Sequence, residues 1–368
     1  MKILLLGEFS AFHLNLKKGF EKLGHEVTLV AGGDGWKEIP NDFKILSLGV
    51  KNPILKIINM MKDFFRISSF KDYDVVQFMQ PVVFPHYLGF NKLLNNILLK
   101  NNKKSFLIAA GSDSFYWENY TENFRYSPHH DMKYFDKKGK KSLYEKTIIY
   151  KYNKYLADKV DGIIPIMYDY DIGYHKFKNK KNIIPIPIDT NDIKYSDNIV
   201  NNKIVIFHGL NREGFKGSKF IKIALERIKE KYSDKVEVIV EGGMPYSKYL
   251  EFIKKTNIVI DQANSYSYGV NAVIAMGMGK IVLSGAEPET LKAFGLEKSP
   301  VVNILPNDED IYLKLVSLIE NAENFKKLGK EARNFVELFH DNIKVASEYI
   351  NIYEEELNHS GVMLKIDW

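Results

Sequence analysis

Two stretches of the chain carry residue types suited to holding an anion. NREGFKG, residues 211–217, sets Arg212 and Lys216 in a glycine-rich turn just after an apolar run ending at Gly209, and Gly217 opens a helical pattern. Backbone N–H groups left free at a helix start, together with the helix dipole, favour negative charge. Lysine adds a point charge and arginine a planar fork, a pairing that suits pyrophosphate. The competing reading is a solvated turn with two surface cations; position directly after a strand favours the ligand. The second stretch, YGVNAVIAMGMGK at 268–280, brings Tyr268, Gly269, Val270 and Asn271 to another helix start, after the apolar run NIVIDQ. Between the two lies EGGMPY, residues 241–246, where Gly242, Gly243 and Pro245 let backbone approach a flat base closely. Together these segments describe a cradle for a nucleoside diphosphate.

The first half of the chain offers fewer candidates. In AAGSDSFYW, residues 109–117, Asp113 follows an apolar run and is placed to orient or deprotonate a hydroxyl; Ser112 and Asp113 are equally good helix caps. GEFSAFH, residues 7–13, lacks the GxGxxG of a dinucleotide site. His13 in that run touches a substrate or serves the helix start structurally, and a lone histidine there is more often structural. No metal is expected: His129, His130 and Asp131 are adjacent rather than spaced i, i+4, and Asp169 and Asp171 in YDYD read as surface charge.

Such residues need elements to place them. Short apolar runs at 2–7, 25–31, 74–78, 105–110, 162–166 and 183–188 alternate with segments able to form helices. A second series begins at Lys203 and continues at 237–242, 257–262, 280–285 and 301–305. Alternation of this kind implies parallel strands covered on both faces, hence two doubly wound α/β domains. The proline-bearing stretch IPIPIDTND sets the boundary near residue 190, giving domains at 1–190 and 191–345 and a C-terminal helix and tail at 346–368. Two such domains face each other across a cleft at the C-terminal ends of their strands, where ligands of open sheets bind.

Composition narrows the partners. The 368 residues are 45% hydrophobic and 27% charged, and there is no cysteine, which excludes disulfides and thiolate metal sites. The net charge of +6 rests mainly on lysine, with five arginines and no arginine–aromatic cluster of the nucleic-acid-binding kind. An anionic small molecule or an anionic membrane surface is the more natural partner. No run approaches the ~20 apolar residues that cross a bilayer, and a cytoplasmic protein is expected.

These motifs resemble those of GT-B glycosyltransferases, most nearly of the family 4 type. The resemblance spans nearly the whole chain and rests on the turn after the first strand, AGSD at 110–113, NREGFKG and YGVNAVIAMGMGKIV. It implies a GT-B fold with an acceptor-binding first domain, including Gly7, His13 and Ser112, and a nucleotide-sugar-binding second domain. It gives the diphosphate to Arg212 and Lys216, and implies transfer with retention, without metal or cofactor, to a glycan, lipid-linked or protein-linked acceptor. A nucleotide-sugar epimerase of the same fold and a catalytically silent partner subunit are the alternatives. The chain departs from the family at the paired glutamates that span this helix start, where Tyr266 and Ile274 stand instead. Neither accepts a hydrogen bond as a carboxylate does. Glu287, in SGAEPET, is the candidate to take over a sugar or ribose contact, against the simpler role of a charge at a helix start.

One further segment, KNPILKIINMMKDFFRISSFK at 51–71, places Ile54, Ile57, Ile58, Met61 and Phe65 at helical spacings of three and four. The apolar face is expected to be core, with Lys51, Lys56, Lys62, Arg66 and Lys71 left to meet anionic lipid at the inner face of the cell membrane.

Overall fold

The computed structural model describes residues 1–35, 38–111, 113–135, 147–210, 214–243 and 246–363. Two parallel sheets organise it. The first contains β1 (Lys2–Leu6), β2 (Glu26–Ala31), β3 (Phe43–Lys44), β4 (Val75–Phe78), β5 (Lys104–Ala109) and β6 (Gly162–Pro165), in the order β3-β2-β1-β4-β5-β6. The second contains β7 (Ile204–Gly209), β8 (Val236–Glu241), β9 (Ile258–Ile260), β10 (Ile281–Ser284) and β11 (Val302–Asn303), in the order β11-β10-β9-β7-β8. Strands such as Ile3, Leu4, Leu5 and Leu6 are buried on both faces because helices cover both sides, which is why they read as continuous apolar runs.

The helices of the first half are α1 (Phe12–Lys22), α2 (Pro53–Ser68), α3 (Phe90–Asn101), α4 (Ser114–Asn123), α5 (Pro128–Phe135), α6 (Thr147–Lys159) and α7 (Tyr168–Gly173). Those of the second are α8 (Ser218–Lys231), α9 (Tyr246–Lys255), α10 (Val270–Gly277), α11 (Pro288–Ala293), α12 (Asp308–Glu320), α13 (Phe325–Phe339) and α14 (Asn342–Met363). The last of these returns to pack on α1, where Tyr349 and Tyr353 meet Phe20 edge-on and tilted. At that junction the Nδ1 of buried His340 bonds Ile186 O at 2.9 Å and its Nε2 bonds the Tyr268 hydroxyl at 3.0 Å.

Three sequence readings change here. Residues 183–188 form no sheet strand, only an isolated bridge between Ile188 and Asp341; Pro185 and Pro187 remove the N–H groups a ladder needs. The apolar face of α2 is not core: Ile54 is 72% and Phe65 69% exposed, and Ile57, Ile58 and Met61 are exposed with them. Its buried residues are Met60, Asp63 and Ile67, and the edge strand β3 beside it has two residues, which leaves little sheet face to cover. Asp169 is not surface charge but fully enclosed, accepting from Ser265 Oγ at 2.6 Å and from the Tyr266 N–H at 3.1 Å.

Burial also holds three histidines neutral: His13, His208 and His340 are each lowered to about 4. A histidine kept neutral in the folded state takes up its proton on unfolding. The stability it contributes is complete above its ordinary value near 6.5 and is lost as pH falls toward 4. Urea unfolding followed between those pH values should show a falling midpoint, with a shallower dependence in His340→Gln; an identical slope in both proteins would remove His340 from this role.

Candidate functional site

Chain direction decides where the site lies. In the first sheet the strand order reverses between β1 and β4, and in the second between β7 and β9. Connections leave such neighbours in opposite directions, which opens a crevice beyond their C-terminal ends. A cavity of about 580 Å³ joins the two crevices. From the first half it is lined by Phe9 and Ser10 after β1, Met79, Gln80, Pro81 and Val82 after β4, and Gly111, Asp113 and Ser114 after β5. Phe215 and Lys216 after β7, Asp261 and Gln262 after β9, and Gly269, Val270 and Asn271 at the start of α10 face them.

The polar centre of the second half is a buried ion pair. Lys216 Nζ lies 2.9 Å from Asp261 Oδ1, with the residues only 6% and 3% exposed. Asp261 Oδ2 accepts from the Gly269 N–H at 3.2 Å and from Ser284 Oγ at 3.4 Å. The loops that carry the pair are tied to each other, since Ala263 N–H donates to Lys216 O at 2.9 Å and Asn264 Nδ2 to Gly214 O at 3.2 Å. Gly217 permits this approach: it sits at φ 73°, and a Cβ there would meet Asn264 Oδ1 at 3.0 Å.

The remaining expected residues fall into several places. Arg212, Pro245 and Ser112 lie outside the described residues. Gly209 closes β7 beside Gly242, whose missing Cβ leaves room for Leu210 O; a Cβ there would come within 1.7 Å. Gly242 and the neighbouring Gly243 are exposed and do not line the cavity. Tyr268 is buried against His340, and Ile274 belongs to the core rather than to the cavity wall. His13 is enclosed beneath the cleft, with Nδ1 2.7 Å from Gly7 O and Nε2 3.0 Å from Gln77 Nε2.

Asp113 lines the cavity and caps α4: its Oδ1 accepts from the Phe115 and Tyr116 N–H groups at 3.0 and 2.9 Å, and its Oδ2 from the Tyr174 hydroxyl at 2.5 Å. Burial raises its carboxyl above the usual range even though these bonds oppose the shift. Glu8, which follows β1 but does not line the cavity, is raised to about 7 by burial and accepts from the Leu14 N–H at 2.9 Å.

Glu287 does not reach the cavity. It is held by the Arg125 guanidinium and by Asn303 Nδ2 at 2.7 Å, while Arg125 also bonds Glu289 at 2.5 Å and lies over the Tyr266 ring at 4.7 Å. With Asp169 on Ser265 and Tyr266, and Asp131 on Lys219 at 2.6 Å and Asn264 at 2.7 Å, these contacts join the two halves along one side of the cleft. Sequence reasoning passed over Arg125 and weighed Asp131 only as a metal ligand, because each acts through a residue more than 80 positions away. Asp261 left a visible signal, an acidic residue directly after an apolar strand. No group of three or more His, Cys, Asp or Glu able to hold a metal occurs among the described residues.

No protein-family model and no curated protein matches the chain. Solved structures do. HepE of Anabaena in complex with UDP-glucose aligns at a TM-score of 0.63 and 13% identity, over 96% of this chain and 100% of that one. Sucrose-phosphate synthase of Thermosynechococcus elongatus aligns at 0.61 and 11%, over 96% and 99%. This fold is GT-B. A third neighbour, UDP-GlcNAc 2-epimerase of Neisseria meningitidis bound to UDP-GlcNAc, aligns at 0.55 and 12%, over 95% and 99%. At these identities the likeness carries the architecture alone.

The position of Glu287 yields a check. Titration with UDP and 2′-deoxy-UDP should show the same discrimination in wild type and Glu287→Gln, with thermal stability lowered by loss of the Arg125 contact. A discrimination that disappears in the variant would return Glu287 to the ligand site.

Proposed function

We propose that the cleft transfers a sugar, of hexosyl type, from a nucleotide-diphosphate donor to a hydroxyl acceptor. The observation that carries this reading is Lys216, a buried cation at the switch point of the second sheet, opening into a cavity shared with the first. The second domain, 191–345, then holds the donor and the first, 1–190, the acceptor, while 346–368 returns to the first. Lys216 stabilises charge on the departing diphosphate, with Arg212 proposed as its partner and the Gly269 helix start as a further donor. This accounts for leaving-group stabilisation without a metal. In a reaction with retention a donor phosphate oxygen takes the acceptor proton, which asks for no strong protein base. Asp113 then serves mainly to shape the acceptor side. Neighbours bound to UDP and UDP-glucose make uridine diphosphate sugars the first donors to test. The epimerase reading keeps support from the neighbour of that activity and from carboxylates in the cavity, Asp34 among them.

A charge-assisted contact is worth about 1.5–3 kcal/mol, so Lys216→Ala should weaken UDP binding about tenfold or more. Incubation of a UDP-sugar panel with and without hydroxyl acceptors should release UDP when the acceptor is present and little in its absence. Interconversion of the sugar without UDP release would support the epimerase, and binding with neither outcome a silent subunit; unchanged UDP affinity in Lys216→Ala would sink the site.

The acceptor reading extends to a membrane surface. Residues 51–104 hold nine Lys or Arg against three Asp, a net of +6 equal to that of the whole chain. The exposed apolar residues of α2 lie in this segment, and so does Leu88, 86% exposed and two residues beyond His86 in the cavity wall. Basic and apolar groups so combined suit an anionic headgroup layer, each cation contributing about 1 kcal/mol near anionic lipid. We place the protein at the cytoplasmic face of the membrane, with the acceptor lipid-linked. Sedimentation with vesicles containing anionic lipid should pellet the protein at low salt, and Ile54→Ser/Phe65→Ser should reduce it severalfold; no pelleting at low salt would contradict this placement.

A further inference from the structure

A buried lysine facing a cavity invites an anion, yet here its positive charge is already answered. Asp261 stands between Lys216 and the first turn of α10, with one oxygen on the ammonium and the other on the Gly269 N–H. All three residues line the cavity. The carboxylate therefore engages two of the groups that a donor diphosphate would use, and it does so from the neighbouring strand end across the switch point. A diphosphate brought to Lys216 meets a like charge beside it, so the two anions compete for the same donors.

We propose that Asp261 is an internal placeholder for the donor diphosphate. It keeps Lys216 and the α10 start in position while the cleft is empty, and gives up both contacts when the diphosphate arrives. This rests on the reading of the cleft as a nucleotide-diphosphate site. Without a counter-charge a buried ammonium is costly, and the loop carrying it would open or draw the side chain toward water. With the placeholder the binding geometry exists before the donor does. The cost is weaker intrinsic affinity, since part of each phosphate contact replaces one already made. Exchange also leaves Asp261 a free carboxylate within the cavity, on the donor side, where the family's acidic partner is missing at Tyr266 and Ile274. It is then placed to accept a hydrogen bond from a hydroxyl of the donor's transferred sugar, which neither pyrophosphate nor UDP carries.

The test separates charge from shape. Asp261→Asn keeps the outline of the side chain and its capacity to accept from the Gly269 N–H while removing the charge. Calorimetric titration with inorganic pyrophosphate and with UDP should show binding about fivefold tighter or more in this variant, because a like charge next to the ligand is gone. The melting temperature of the empty variant should drop below wild type, and pyrophosphate should raise it by more than it raises wild type. Asp261→Ser, which also removes the charge, should tighten binding in the same direction should the asparagine variant fold poorly. Lys216→Ala combined with Asp261→Asn should lose the gain. Equal or weaker anion binding in both folded single variants overturns the placeholder. If Lys216→Ala still weakens UDP in that case, the donor site stands and only the role of Asp261 falls; if UDP ignores all of these changes, the donor reading falls with it.

Discussion

The site depends on one enclosed pair of opposite charges. Lys216 and Asp261 are 2.9 Å apart and almost wholly removed from water, so each is tolerated only because the other is there. Taking an ion out of water costs several kcal/mol even after relaxation, and this pair recovers that cost through short geometry and additional bonds from Gly269 and Ser284. The pair thereby fixes the relation between the loop after β7 and the strand end of β9. The crevice between them is held by charge as well as by apolar packing. That matters for binding, because a crevice with this origin responds to a charged ligand.

Around that centre the two halves are joined at distinct places. On one side of the cleft Arg125, Asp131 and Asp169 from the first half engage Glu287, Glu289, Lys219, Ser265 and Tyr266 from the second. At the crossing of the chain His340 bonds both Ile186 and Tyr268, and α14 lies on α1. The first group combines part-exposed ion pairs with the enclosed Asp169 and the packing of Tyr266 on Phe124, while the second is enclosed throughout. The exposed ion pairs exchange readily with water and the enclosed contacts do not. The cleft is therefore held at both places by enclosed contacts, with exposed ion pairs added along its rim.

Much of the architecture was legible in the sequence because doubly buried strands such as β1 and β10 are unbroken apolar runs with helical patterns between them. Failures have local causes. IPIPI at 184–188 looks like a strand by hydropathy, but its prolines cannot donate to a ladder. The stripe on α2 has core periodicity, yet no surface among the described residues covers it, and periodicity does not report what lies opposite. Lys216 was legible as a cation in a turn after a strand. Its pairing with Asp261, 45 residues on, was not, because it is a property of strand order rather than of spacing. The same holds for Glu287: a carboxylate after a strand end marks a candidate, and only the fold shows that Arg125 already occupies it.

The central claim, that the second sheet's switch point receives a nucleotide diphosphate, is tested most directly by a crystal structure of the protein with a nucleoside diphosphate bound. The account predicts the diphosphate within hydrogen-bonding distance of Lys216 Nζ and the Gly269 N–H, with Asp261 displaced from both. A diphosphate bound elsewhere, or one seated in the cleft while the Lys216–Asp261 pair stays closed and out of contact with it, would contradict the claim.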